Sequence, residues 1–219
     1  MSPGENYRRI RDELPPEVAL LVAAKGRTAE ELAEVIEAGA TLIGQNYVQE
    51  TEAVRAELGP GAEAAEWHLI GHLQRNKVNR ALPLFDVIQS VDSIRLARAI
   101  GGRSAGNVRV CVEVNVGGEA SKYGVLPEAA AALVEQMSAL GNLCVEGLMT
   151  MEPYCEDPED ARPYFRRMRD LFQDLRALRG PNVPMQVLSM GMTHSWRVAV
   201  EEGANMVRVG TAIFGPRHR

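Results

Sequence analysis

Cysteine, lysine and long apolar runs are all scarce in this chain of 219 residues. Its three cysteines, Cys111, Cys144 and Cys155, are odd in number and lack the spacing of metal ligands. That argues against a disulfide framework or a zinc module and suits a reducing compartment. Cys111 and Cys144 lie in apolar runs and read as small core residues. No segment approaches the ~18 apolar residues of a bilayer span. The stretch from Met1 to Arg9 is polar, without the apolar segment of a secretory signal. The expectation is a cytoplasmic protein that does not enter a membrane. Positive charge is not in excess either. The 24 Lys and Arg residues face 29 Asp and Glu, and a net charge of −5 offers nucleic acid or anionic lipid no chain-wide attraction. Only Lys25, Lys77 and Lys122 are lysines, so few side chains could do lysine chemistry. His68 and His72 straddle Gly71 with no acid or cysteine to complete a metal set, so no metal is expected.

What is present is a regular alternation. Short apolar runs, read as strands, cover Val18–Ala24, Thr41–Gly44, Trp67–Ile70, Val87–Ser90, Arg109–Asn115, Cys144–Leu148, Gln186–Ser189 and Met206–Val209. Amphipathic stretches, read as helices, cover Ala29–Ala38, Val48–Leu58, Arg75–Leu82, Ile94–Ile100, Pro127–Leu140, Pro158–Arg179 and Arg197–Glu202. Thr28 and Glu31 form a capping box before the first of these, and Gly39 stands where a C-terminal glycine belongs. Strand then helix, repeated to eight strands, predicts a parallel sheet closed into a (β/α)₈ barrel over residues 1–219 as one domain. An open doubly wound sheet is the second choice, but no Gly-x-Gly-x-x-Gly follows the first strand. The long basic helix after Pro158 reads as an outer barrel helix with a solvated face, and Trp67 and Trp196 as packing residues.

Active sites of such barrels lie at the C-terminal strand ends, with phosphate held after strands 7 and 8. Lys25 follows seven residues without a polar side chain. There it either snorkels into solvent or serves as the poorly hydrated amine that imine chemistry needs. Ser189-Met190-Gly191-Met192-Thr193 and Gly210-Thr211 pair glycines with hydroxyls, as a phosphate cradle does. Period-two alternation puts Val207 and Val209 on one face and Arg208 on the other; if the valines face the helices, Arg208 points into the barrel. There Arg208 either pairs with a core acid, Glu113 or Glu146, or meets a ligand heteroatom. His68 reads as a cofactor neighbour or a hydrogen-bonded packing residue. Amine, cradle and arginine together match the aldehyde, phosphate and ring nitrogen of pyridoxal 5′-phosphate (PLP).

The runs Leu21-Val22-Ala23-Ala24-Lys25, Gly44-Gln45-Asn46-Tyr47-Val48-Gln49-Glu50, Ser121-Lys122-Tyr123-Gly124, Leu188-Ser189-Met190-Gly191-Met192-Thr193 and Val207-Arg208-Val209-Gly210-Thr211 resemble the pyridoxal-phosphate homeostasis protein family, stand-alone relatives of the alanine racemase N-terminal barrel. The resemblance spans nearly the whole chain. It implies that Lys25 forms the aldimine, that Ser189, Thr193, Gly210 and Thr211 hold the phosphate, that Arg208 meets the ring nitrogen and that Asn46 lies beside the cofactor. The chain departs from the family pattern at Gln45, where Glu is usual. It departs again at Ala24 and Gly26 around the lysine, and at Ser195-Trp196-Arg197, where Asp-Met-Glu is usual.

The function expected is to carry or buffer PLP without robust turnover and so without catalytic residues. PLP-dependent apoenzymes are the conceivable recipients, and the chain is expected as a monomer or weak dimer. The alternative is a PLP-dependent racemase or transaminase; against it, only ten residues follow Val209, too few for the second domain that supplies a racemase's opposing base. A lysine-dependent aldolase is the third reading, and it gives Arg208 no ring nitrogen to meet.

Overall fold

Each strand buries one face under helices and turns the other inward, and this alternation sets the architecture. The computed structural model describes residues 1–178, 180 and 182–216. Eight parallel strands close in sequence order: β1 (Ala19–Ala23), β2 (Leu42–Gln45), β3 (Glu66–Leu69), β4 (Val87–Val91), β5 (Val108–Val114), β6 (Leu143–Thr150), β7 (Val187–Ser189) and β8 (Met206–Val209). β8 returns to β1, with Leu21 beside Arg208. The (β/α)₈ barrel is therefore the fold, and the open sheet is excluded. Observed strands differ from the expected ones only at their ends.

Leu20, Val22, Ile43, Trp67, Val207 and Val209 belong to the main core between barrel and helices, whereas Leu21, Ile70 and Met206 cluster inside the barrel. The inward path of Arg208, expected from its flanking valines, is what the barrel shows. Trp67 is fully buried and donates its indole N–H to the Ala62 carbonyl at 2.8 Å.

The outer layer comprises α1 (Pro3–Glu13), α2 (Ala29–Glu37), α3 (Val48–Leu58), α4 (Val78–Ala81), α5 (Ile94–Gly101), α6 (Pro127–Ser138), α7 (Arg162–Arg176), α8 (Trp196–Glu201) and the single turn α9 (Thr211–Phe214). Thr28 caps α2 with Glu31, as expected. The stretch expected as one helix over 75–82 splits into a 3₁₀ turn at Arg75–Lys77 and α4. Likewise a 3₁₀ turn at Pro158–Ala161 precedes α7, and Arg179 lies outside the described residues. The face of α7 is less free than expected: Arg162, Arg166 and Arg169 all contact the carboxylate of Glu202.

Sequence reading missed α1, which carries only Gly4, Tyr7 and Ile10 as buried residues among charges. Its signal was the capping box of Ser2 and Glu5 with Pro3 at the first turn. The helix packs against α2 and α9, with Asn6 donating to the Ile213 carbonyl at 2.9 Å. Tyr7 donates its hydroxyl to the Gly39 carbonyl, and Arg11 donates to the carbonyls of Leu14, Pro15 and Val18.

Close approach of β6 to β7 depends on Gly147, because a methyl group there would run into the Val187 carbonyl. Gly147→Ala is expected to lower stability by about 1–3 kcal/mol in urea denaturation. Gly141→Ala, whose added carbon meets open space, is expected to stay within about 0.5 kcal/mol of wild type.

Candidate functional site at the barrel mouth

The C-terminal strand ends frame a cavity of about 350 Å³. Six of the seven expected site residues line it: Lys25, Asn46, Thr193, Arg208, Gly210 and Thr211. Ser189 does not. As the last residue of β7 it sits one layer lower, fully buried, and its Oγ accepts a hydrogen bond from Arg208 at 2.8 Å. A ligand in the cavity meets Arg208, with Ser189 behind it.

Arg208 is fixed by two bonds, the second running from Nη2 to the Thr150 carbonyl at 2.5 Å. Among the described residues it makes no carboxylate ion pair. The core pairing with Glu113 or Glu146 is thereby corrected: Glu146 bonds Arg109 at 2.5 Å, and Glu113 has no hydrogen bond to Arg208. Burial lowers the pKa of Arg208, opposed by the charges of Glu152 and Glu113. A guanidinium has five N–H donors and no acceptor, so Arg208 retains N–H groups for a ligand.

Lys25 leaves β1 just before Gly26, whose φ of +68° turns the chain over the mouth. It is half-buried, and its Nζ lies 4.9 Å from the ring centre of Tyr47. No carboxylate among the described residues pairs with it. Lys122, in contrast, pairs with Glu119 and donates to the Glu152 carbonyl at 2.8 Å. Lys77 lines a neighbouring cavity instead.

Two loops offer anion donors. The amides of Thr193, Thr211 and Ala212 have no acceptor among the described residues. Gly191 has φ +91°, and an added carbon there would meet Ala199 at 2.5 Å. At Gly210 it would stand 2.7 Å from the Ala23 carbonyl, so glycine brings this loop against β1. Ser195 ties the loop after β7 to the cavity wall, since its Oγ accepts from the Met192 amide at 3.0 Å and donates to the Glu152 carboxylate.

His68 is a packing residue. Its Nδ1 meets Gln89 Nε2 at 2.7 Å and its Nε2 meets Glu66 Oε1 at 2.8 Å, well inside the barrel. The bond from His68, opposed by burial and joined by Arg109, brings the Glu66 carboxyl down to about 2. Among the described residues no cluster of His, Cys, Asp and Glu could hold a metal.

Sequence reading overlooked two acids at the mouth as functional groups. Glu152 lies beyond β6 on the cavity wall, buried, with one oxygen unpartnered. Glu113, on the inner face of β5, also has a buried unpartnered oxygen. Burial above all, then Asp92, pushes its pKa up to about 7, against the pull of Arg208. Alternation in Arg109-Val110-Cys111-Val112-Glu113 was the signal that placed Glu113 inside.

The profile of the alanine racemase N-terminal domain matches residues 4–218. The pyridoxal phosphate homeostasis protein of Aquifex aeolicus is 44% identical over 205 residues, covering 90% of this chain and 86% of its own. The structure of PipY of Synechococcus elongatus without PLP superposes with a TM-score of 0.90 at 34% identity, over 98% of this chain and 100% of that one. The same protein with PLP bound gives 0.87 at 33% identity, with the same coverage.

The raised Glu113 carboxyl makes a signed prediction. Its proton is held more tightly in the folded chain than at the ordinary value of 4.5, so its stability contribution is complete below about pH 4.5 and is lost as pH rises through about 7. A displacement of that size is worth about 3 kcal/mol. Glu113→Gln is expected to match wild type in urea at pH 4.5 and to exceed it by up to about 3 kcal/mol at pH 8.

Proposed function

The chain belongs to the pyridoxal phosphate homeostasis protein family, and from that membership we propose that it binds pyridoxal 5′-phosphate at the barrel mouth and holds it in reserve, without robust turnover. The observation that carries this reading is one cavity joining an uncommitted lysine, a fixed guanidinium and open backbone amides. Bound there, PLP supplies an aldehyde that condenses with a primary amine. Lys25 is the amine this site presents. Thr193, Gly210 and Thr211 receive the phosphate through hydroxyls and amides, which need no lysine of their own. Asn46 closes the wall beside Lys25. Arg208 faces the ring nitrogen and can only donate to it, so it cannot accept the hydrogen bond of a protonated nitrogen. Ser189 and Thr150 keep the guanidinium in place.

Turnover of an amino acid also needs proton donors and acceptors fixed around a closed chamber. Glu152 is held by Ser195, and Cys155 donates to the Pro153 carbonyl. Tyr154 and His194 stand exposed on the rim. The site therefore favours holding over transformation. Apoenzymes that require PLP are the recipients this reading assigns. Cytoplasmic placement and a monomer or weak dimer complete it; no helix among the described residues is long and apolar enough to cross a membrane.

Borohydride reduction after PLP loading is expected to fix the label on Lys25, read by peptide mapping, and Lys25→Ala is expected to lose it. Label on Lys77 or Lys122 would overturn the assignment. Thr211→Val is expected to weaken PLP by roughly 10- to 100-fold, the worth of one hydrogen bond to a charged group, and to leave the already weak binding of phosphate-free pyridoxal unchanged. Racemisation and half-transamination of common amino acids are expected well below ~1 s⁻¹, under the ordinary enzyme range.

A further inference from the structure

Beside the first cavity lies a second, of about 420 Å³, that shares the walls of Asn46 and Met151 with it. Glu113, His72, Lys77, Tyr47 and Tyr123 also line it. We propose that this compartment binds the primary ammonium group of a small organic molecule, with Glu113 as the residue that receives it.

The Glu113 side chain is 2% exposed, faces this space and accepts no hydrogen bond from any described residue. A buried acceptor without a donor is a cost that a donating ligand removes. The surroundings select a cation. Asp92 adds a second negative charge close enough to oppose ionisation of Glu113, and its own oxygen lies 3.5 Å from His72 Nδ1. Tyr47 and Tyr123 also line the cavity; the ring of one already attracts Lys25, and the other stacks on His72 with ring centres 3.8 Å apart. A metal ion lacks the ligands, since no cluster of three His, Cys, Asp or Glu suited to one occurs among the described residues. An ammonium group brings both the donors and the charge that Glu113 lacks, and its charge would favour the ionised carboxyl that burial resists.

Lys77 decides the rest of the molecule. It lines the same cavity and makes no carboxylate ion pair among the described residues. With Lys77 engaged, the ligand is a zwitterionic amino acid; without it, a plain amine. The inference goes beyond the PLP reading and does not require it, because Glu113 lines only the second of the two cavities. It places amine recognition one wall away from Lys25.

The test uses cofactor-free full-length protein at pH 8 and calorimetric titration with n-propylamine, L-2-aminobutyrate, n-propanol and butyrate. Saturable binding of one amine or both is expected, with neither propanol nor butyrate binding. In a parallel titration at pH 6, below the value of about 7 to which the Glu113 carboxyl is raised, its infrared band should shift from protonated to ionised as the amine is added. Glu113→Gln should weaken the amine at least tenfold. Lys77→Gln should weaken only L-2-aminobutyrate if the ligand is zwitterionic, and neither amine if it is not. The proposal falls if neither amine saturates by about 10 mM, weaker than the millimolar end of small-ligand affinities. It also falls if a deaminated analogue binds as tightly, or if Glu113→Gln leaves amine affinity unchanged. The comparison of amines with deaminated analogues needs only the wild-type chain, so a variant that fails to fold does not blunt it. PLP titration of the same preparation, followed by absorbance, reports separately on the cofactor reading.

Discussion

Closing eight parallel strands withdraws their inner faces from water, and a polar side chain there persists only where the barrel supplies a partner. Low in this barrel most of the partners are supplied. Arg109 bridges Glu66 and Glu146, Glu66 also meets His68, and His68 meets Gln89. Under the mouth Arg208 is held by Ser189 and Thr150. At the mouth itself Glu113 and Glu152 keep buried oxygens without a donor. Gln89 Oε1 within the lower network also lacks a donor, so what sets the Glu113 and Glu152 oxygens apart is that their side chains border the cavities at the mouth.

The mouth divides its labour by charge. Donors to an anion collect on the loops after β7 and β8, where glycines bring backbone amides forward. Uncompensated acids collect across the cavity on β5 and beyond β6. Arg208 lines the first cavity, bonded to Ser189 and Thr150 and without a carboxylate ion pair among the described residues. One molecule bearing both a phosphate and a basic nitrogen can satisfy the first set and the guanidinium together.

Much of this is legible in the order of the residues alone. The apolar runs locate eight strands, and alternation puts Arg208 opposite Val207 and Val209, so it points inward once the valines are assigned to the helix-facing side. Ser189 shows the limit. The sequence places it correctly at the end of the seventh strand, yet counting its hydroxyl in the phosphate cradle overlooks that a strand-end side chain lies one layer below the loop, where it accepts from Arg208. The fate of Glu113 and Glu146 is not legible either. An irregularity between β5 and β6 shifts the register after Val110, so Val110 faces Val145 while Cys111 faces Gly147. Pairing across that shift cannot be counted from sequence spacing. The α9 turn is too short for any periodicity, and α1 too charged.

The contact between Lys25 and the ring of Tyr47 has a consequence for the capture we propose for this lysine. A free lysine side chain carries about 2 kcal/mol of rotamer entropy, and a covalent bond to a ligand freezes most of it. Tyr47 restricts that freedom beforehand, while its own side chain is 47% exposed and so can swing aside. The side chain therefore waits in a narrowed set of conformers, and part of the ordering that capture demands has been met in advance by folding.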